Sequence, residues 1–79
     1  MDIKQAFGIV VKDLRNQRGW SQEKLAENAG ISMRTVSVIE GNKHNPSITM
    51  IEDLAKAFGV KASELVKLAE EYSQPVNIK

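Results

Sequence analysis

Apolar residues return along this chain at intervals of three and four. Phe7, Val10, Val11 and Leu14 stand at i, i+3, i+4 and i+7, the spacing that gathers them on one helix face. The pattern predicts a first helix over Ile3–Arg18, with Gly19 supplying a left-handed stop. Ser21 then caps a second helix, Gln22–Ala29, and Trp20 can staple onto Leu25 around that cap. Gly30 ends it. Ser32 caps a short third helix, Met33–Glu40, with Ile31 and Val36 at the staple positions and Gly41 at its end. The run Gly41–Ser47 is polar and rich in turn formers. Ser47 caps a fourth helix in which Ile51, Leu54, Ala55 and Phe58 repeat the first pattern up to Gly59. A fifth, about Ala62–Tyr72, sets Leu65, Leu68, Ala69 and Tyr72 on one side, and Pro75 enforces an extended tail. No segment alternates as a β-strand does.

The expected class is therefore all-α, with five helices in one domain over residues 1–72 and a tail over 73–79. With 42% apolar and 27% charged residues, the 79-residue chain falls in the globular range. A chain of this size buries a modest core and is marginally stable unless it pairs with a second copy. The absence of cysteine excludes disulfides and thiolate metal sites, and one histidine, His44, cannot make a multi-histidine zinc site. No apolar run reaches the roughly 20 residues that cross a bilayer, and the first residues do not open a secretion signal. A cytoplasmic protein without cofactor or membrane partner is expected. Catalysis is not: Asp13, Glu52, Asp53, Glu70 and Glu71 are scattered, and His44 has no visible partner. The net charge of +1 offers little guidance, although residues before Pro46 carry seven Lys/Arg against five Asp/Glu.

More specific is the segment Gln22–Glu40, where two short helices meet across a turn of about three residues containing Gly30, the spacing of a helix-turn-helix. Ala26 is small where those helices must approach closely, and Ile31, Val36 and Ile39 face inward. Ser32, Met33, Arg34, Thr35, Ser37 and Val38 are left outward. Eight residues at about 1.5 Å each make a rod of about 12 Å, short enough to enter a major groove.

Several spaced signals then agree in order: Leu14-Arg15, Gly19 to Ala26, Ala29 to Ser32, Val36 to Lys43, Pro46-Ser47 and Leu54 to Val60. Together they resemble the lambda-repressor/Cro-type (XRE-type) helix-turn-helix domain over roughly Ile3–Leu68. The resemblance implies a compact five-helix lambda-repressor-like fold, with helix three as the recognition helix. It implies that Gln22 opens the helix lying across the DNA backbone, and that an Arg15–Glu40 ion pair locks helix one to the end of helix three. The chain departs from the family at Lys61, where a small polar cap is frequent, and at Met33 and Val38, where longer polar readers are frequent.

In that setting Met33, Arg34, Thr35, Ser37 and Val38 are the candidate base contacts. The planar fork of Arg34 suits guanine O6 and N7, a contact that discriminates by about 1–3 kcal/mol; its plain alternative is a surface charge. Thr35 and Ser37 either bond to bases or phosphates or simply face water. Val38 either touches a thymine methyl or packs beside the loop, and Met33 either does likewise or fills the helix. Gln22, Ser32, Asn42 and Lys43 are the candidate phosphate contacts, Gln22 because unpaired amides at a helix start favour an anion. Ser32 is first a cap. His44 is expected to be a neutral loop residue.

One recognition helix makes few phosphate contacts, so specific binding calls for two copies on half-sites about 34–36 Å apart. The expected dimer surface is Ala62, Leu65 and Val66 on helix five, Val66 being the apolar residue left over once Leu65, Leu68 and Tyr72 face the core. The resulting expectation is a sequence-specific DNA-binding transcriptional regulator, a homodimer on a two-fold symmetric operator, with no small-molecule ligand. Activity would follow concentration, as suits either a phage-type repressor or a restriction–modification controller protein. The rival is a helix-turn-helix protein-interaction module, antitoxin- or coactivator-like, whose apolar Met33 and Val38 mark a partner-binding face with little base readout.

Overall fold

Ser21, Ser32 and Ser47 start three helices by the same device. Each hydroxyl accepts the backbone N–H three residues on, from Lys24 (3.0 Å), Thr35 (3.0 Å) and Met50 (3.1 Å), satisfying an amide that has no partner in the first turn. In this computed structural model, which describes residues 1–41 and 45–74, those caps open α2 (Gln22–Ala29), α3 (Met33–Glu40) and α4 (Ile48–Phe58). Helix α1 covers Ile3–Gln17, capped by the Asp2 carboxylate on the Lys4 N–H (3.0 Å). Helix α5 covers Ala62–Ser73 and so runs one residue past Tyr72. The described residues form a lambda-repressor-like arrangement of five helices without strands.

Lys61 does not prevent α5 from starting. Glu64, three residues on, turns its carboxylate back to accept the Lys61 N–H at 2.9 Å, which replaces part of what a small polar cap would supply. Helices α2 and α4 stop alike, at Gly30 (φ +71°) and Gly59 (φ +77°) in the left-handed region. The following residues close each end, Ile31 N–H on Ala26 O at 3.0 Å and Val60 N–H on Ala55 O at 2.9 Å. Gly41 ends α3 differently, at φ −83° with an ordinary helical bond to Ser37 O.

Helix α1 packs along α5 and against α3, while α2 is wedged between α3 and α4. Every helix contributes to one core, whose largest fully buried side chains are Val11, Leu25, Val36, Ile39, Leu54 and Leu65. Burying such a side chain contributes about 1.5–3 kcal/mol each.

The fifth helix presents its side chains differently from the expectation. Leu65 and Ala69, one turn apart, are buried, but Leu68 is 39% exposed and Tyr72 47% exposed. Both lie at the rim of a groove shared with Val10 and Leu14 of α1, beyond the reach of the core. Leu65 is also removed from the expected dimer surface, because it is spent inside its own protomer. Trp20, expected to staple onto Leu25, stacks its ring on Phe58 at 5.9 Å between centroids. The Arg18 guanidinium lies over both rings (5.7 and 5.0 Å) and donates to Phe58 O at 2.6 Å, a cation at the C-terminus of α4.

Gly8 marks a close approach between α1 and the end of α3. A Cβ there would clash with the carbonyl oxygen of Ile39 and stand 3.5 Å from Glu40 Cα, both backbone atoms that cannot swing aside. At an open helical site Gly→Ala gains up to about 1 kcal/mol. Gly8→Ala is expected to reverse that sign and cost about 1–3 kcal/mol, because it forces α1 away from the end of α3. Urea unfolding measures this, and a variant as stable as its parent would show that the two helices separate without cost.

Candidate nucleic-acid interface

Helix α3 has two unlike sides. Val36 and Ile39 are buried, whereas Met33 (53% exposed), Arg34 and Ser37 project outward. Thr35 and Val38 lie half-buried at the margin. The Ser32 hydroxyl, already a cap, is 2.7 Å from Thr35 Oγ1, so these two hydroxyls satisfy each other. Among the described residues no ion pair engages Arg34.

The helix is held at its far end by a charge network. Arg15 Nε donates to Glu40 Oε2 at 2.7 Å and Arg15 Nη2 donates to Glu40 Oε1 at 2.9 Å, a two-pronged contact. Arg15 Nη1 donates to the carbonyl of Trp20 at 2.8 Å, in the turn between α1 and α2. Gln22 Nε2 donates to Glu40 Oε1 at 3.1 Å. The Arg15 and Glu40 side chains are 11% and 4% exposed. The hydrogen bond to Glu40, and its negative charge, push the Arg15 pKa further up against the opposing effect of burial. The network fixes α1, the start of α2 and the last residue of α3 to one another.

Gln22 therefore has a task that its place at a helix start did not reveal: its amide serves Glu40. The backbone amides at the start of α2 still point outward, as the geometry of a helix N-terminus requires. Asn42, Lys43 and His44 lie outside the described residues. A further residue stands beside this side of α3 from another helix. Met50, in the first turn of α4, lines a cleft of about 190 Å3 together with Arg34, Thr35 and Val38. The only hint in the sequence is that Met50 stands off the stripe of Ile51, Leu54, Ala55 and Phe58.

Away from this side, apolar residues collect where α4 meets α5. Ile48 is 83% exposed, and with Ile51, Ala62 and Val66 it lines a groove of about 320 Å3. A second groove, about 210 Å3, continues it through Ile51 and Val66 towards Ile3 and Phe7. Among the described residues no group of acidic or histidine side chains is arranged to hold a metal, and no helix is long and apolar enough to cross a membrane.

Comparison with known proteins places this geometry. A family model described as helix-turn-helix matches residues 11–72. An uncharacterized HTH-type transcriptional regulator of Bacillus subtilis, YgzD, is 41% identical over 61 residues, covering 77% of this chain and 92% of its own length. The competence pilus inhibition repressor of Acinetobacter baylyi is 35% identical over 78 residues, covering 99% of this chain and 67% of the repressor. Among solved structures, the restriction-modification controller protein C.AhdI from Aeromonas hydrophila is similar with a TM-score of 0.75 at 34% identity, over 78% of this chain and 94% of its own.

The charge network predicts a non-additive pair of substitutions. Arg15→Met and Glu40→Leu are each expected to lose about 3–5 kcal/mol, since each leaves the other charge without its partner. The double variant is expected to lose less than either single one. Urea unfolding of the four proteins measures the coupling, and additive losses would mean that the two side chains act independently.

Proposed function

Because this chain belongs to the XRE-type helix-turn-helix family of transcriptional regulators, we propose that it binds operator DNA sequence-specifically, as a homodimer that lays α3 in the major groove. The observation that carries the reading is the exposed side of α3, Met33, Arg34 and Ser37, on a helix whose other side is core and whose end is pinned through Glu40. A reading element needs that rigidity, because a loosely held helix loses its contacts to motion. Arg34 reads guanine through O6 and N7. Ser37 adds a hydroxyl, and Met33, Thr35 and Val38 add apolar contact. Gln22, Ser32, Asn42 and Lys43 meet phosphates, Gln22 through the first amides of α2 and the part of its side chain that Glu40 does not use.

Two copies are needed on energetic grounds. Each phosphate contact steepens the salt dependence by about 0.9 in log–log slope, and few contacts give weak binding at physiological salt. Joining two half-sites about 34–36 Å apart turns the second contact into an intramolecular one. The interface proposed is the α4–α5 surface, with Ala62 and Val66 joined by Ile48 and Ile51. The protein works by binding rather than by catalysis, in the cytoplasm with the DNA it regulates. A protein-interaction role is the second reading, favoured by the exposed Met33 on the same side of α3.

Random-oligonucleotide selection, followed by titration at two salt concentrations, decides between them. The expected result is a two-fold symmetric site, with Arg34→Ala losing preference at one base pair per half-site and about 1–3 kcal/mol there. Absence of enrichment by folded protein would favour the protein-partner reading, and unchanged selection by Arg34→Ala would assign base reading to other residues. Val66→Glu is expected to shift the protein to monomer in sedimentation equilibrium and to weaken binding to the symmetric site. A variant that remains dimeric would place the interface elsewhere.

A further inference from the structure

The cleft between α3 and α4 lies beside the residue proposed to read guanine, and its walls come from two helices. Arg34, Thr35 and Val38 belong to α3, and Met50 reaches in from the first turn of α4. Thr35 has both its polar groups engaged by Ser32, its N–H at 3.0 Å and its hydroxyl at 2.7 Å. Beside that hydroxyl Thr35 also carries an apolar γ-methyl. Val38 and Met50 bring only apolar side chains, so the cleft wall next to Arg34 is predominantly apolar, with the one hydroxyl on it already bonded to Ser32.

We propose that Met50, with Thr35 and Val38, forms a niche for the C5-methyl group of a pyrimidine next to the guanine bound by Arg34. The inference rests on the DNA-reading function proposed above and adds a specificity-determining residue outside the recognition helix. The occupant follows from chemistry. Thymine's C5-methyl is the one apolar group that the unmodified bases turn into the major groove, where every other feature is a donor or an acceptor. Position agrees as well: Val38 lies four residues beyond Arg34 on α3, a rise of about 6 Å. Successive base pairs rise about 3.4 Å, so the niche falls within about two base pairs of the guanine. Methionine suits the task, being flexible and polarizable enough to close against a methyl.

The chemistry of the operator supplies the test. In the site obtained by selection, each thymine is replaced in turn by 2′-deoxyuridine, which removes one methyl and leaves every hydrogen bond in place. At a thymine within about two base pairs of the Arg34-dependent guanine, Kd is expected to rise about fourfold per half-site, the effect of one buried methyl. Met50→Ala and Val38→Ala are expected to bring the thymine-to-uracil ratio close to one while keeping the guanine preference, and Met50→Leu to retain most of the ratio. Circular dichroism of each variant confirms folding, and the substitution in the DNA needs no variant at all. A site with the Arg34-dependent guanine but no methyl effect beside it, or a ratio unchanged in folded Met50→Ala, would overturn the niche and leave the DNA-reading function standing. A protein that selects no DNA site would overturn both.

Discussion

A carboxylate with little access to water sits at the junction on which this fold depends. Glu40 is the last residue of α3, and its two oxygens accept from Arg15 twice and from Gln22 once. Removing such a charge from water is costly unless donors replace the lost hydration, and here three donors do so. The donors come from different parts of the chain, Arg15 from α1 and Gln22 from the first residue of α2. Arg15 also ties down the turn between them through Trp20 O. A helix of eight residues has no stability of its own in water, so the direction of α3 has to come from outside it. The Ser32 cap sets its start, buried Val36 and Ile39 set its rotation, and Glu40 sets its end.

The closeness of α1 and α3 belongs to the same arrangement. Without a side chain at Gly8, the backbone of α1 settles against the carbonyl of Ile39, one residue before Glu40. That contact brings Arg15, two turns further along α1, within bonding distance of Glu40. Just past the same end of α1, Arg18 covers the stacked rings of Trp20 and Phe58 and reaches the end of α4. Helix α1 is thus fastened at its end to α3 through Arg15 and to α4 through Arg18. What it leaves uncovered is the α4–α5 surface, where Ile48 and Val66 stay in contact with water. For a chain whose core is this small, a second copy over that surface would add the apolar burial that one protomer lacks.

The proposed reading side combines Arg34 with several apolar side chains. Such a surface suits a DNA sequence recognised by a guanine contact, by methyl groups and by the ease with which the duplex adopts a required shape. By lining one cleft with Val38, Met50 gives α4 a place on the proposed reading side.

Each helix was readable locally, from its caps, stops and apolar stripe. Ser21, Ser32 and Ser47 are caps for local reasons, and Gly30 and Gly59 are stops because few other residues take a left-handed backbone without strain. The stripes of Phe7–Leu14 and Ile51–Phe58 were legible because burial follows a 3.6-residue period. The split of α3 into an inner and an outer side was legible in the same way. Periodicity tells which side of a helix is apolar, but not how far a neighbouring helix extends over it. That is why Leu68, Tyr72 and Ile48, all on apolar stripes, end at the surface, while Leu65 faces the core as its stripe predicts and so cannot also serve a dimer surface. The ring stack of Trp20 on Phe58, the close approach at Gly8, the bond from Gln22 to Glu40 and the entry of Met50 beside Arg34 join residues distant in sequence. These contacts depend on the angles and separations at which the helices pack, and no local preference encodes them.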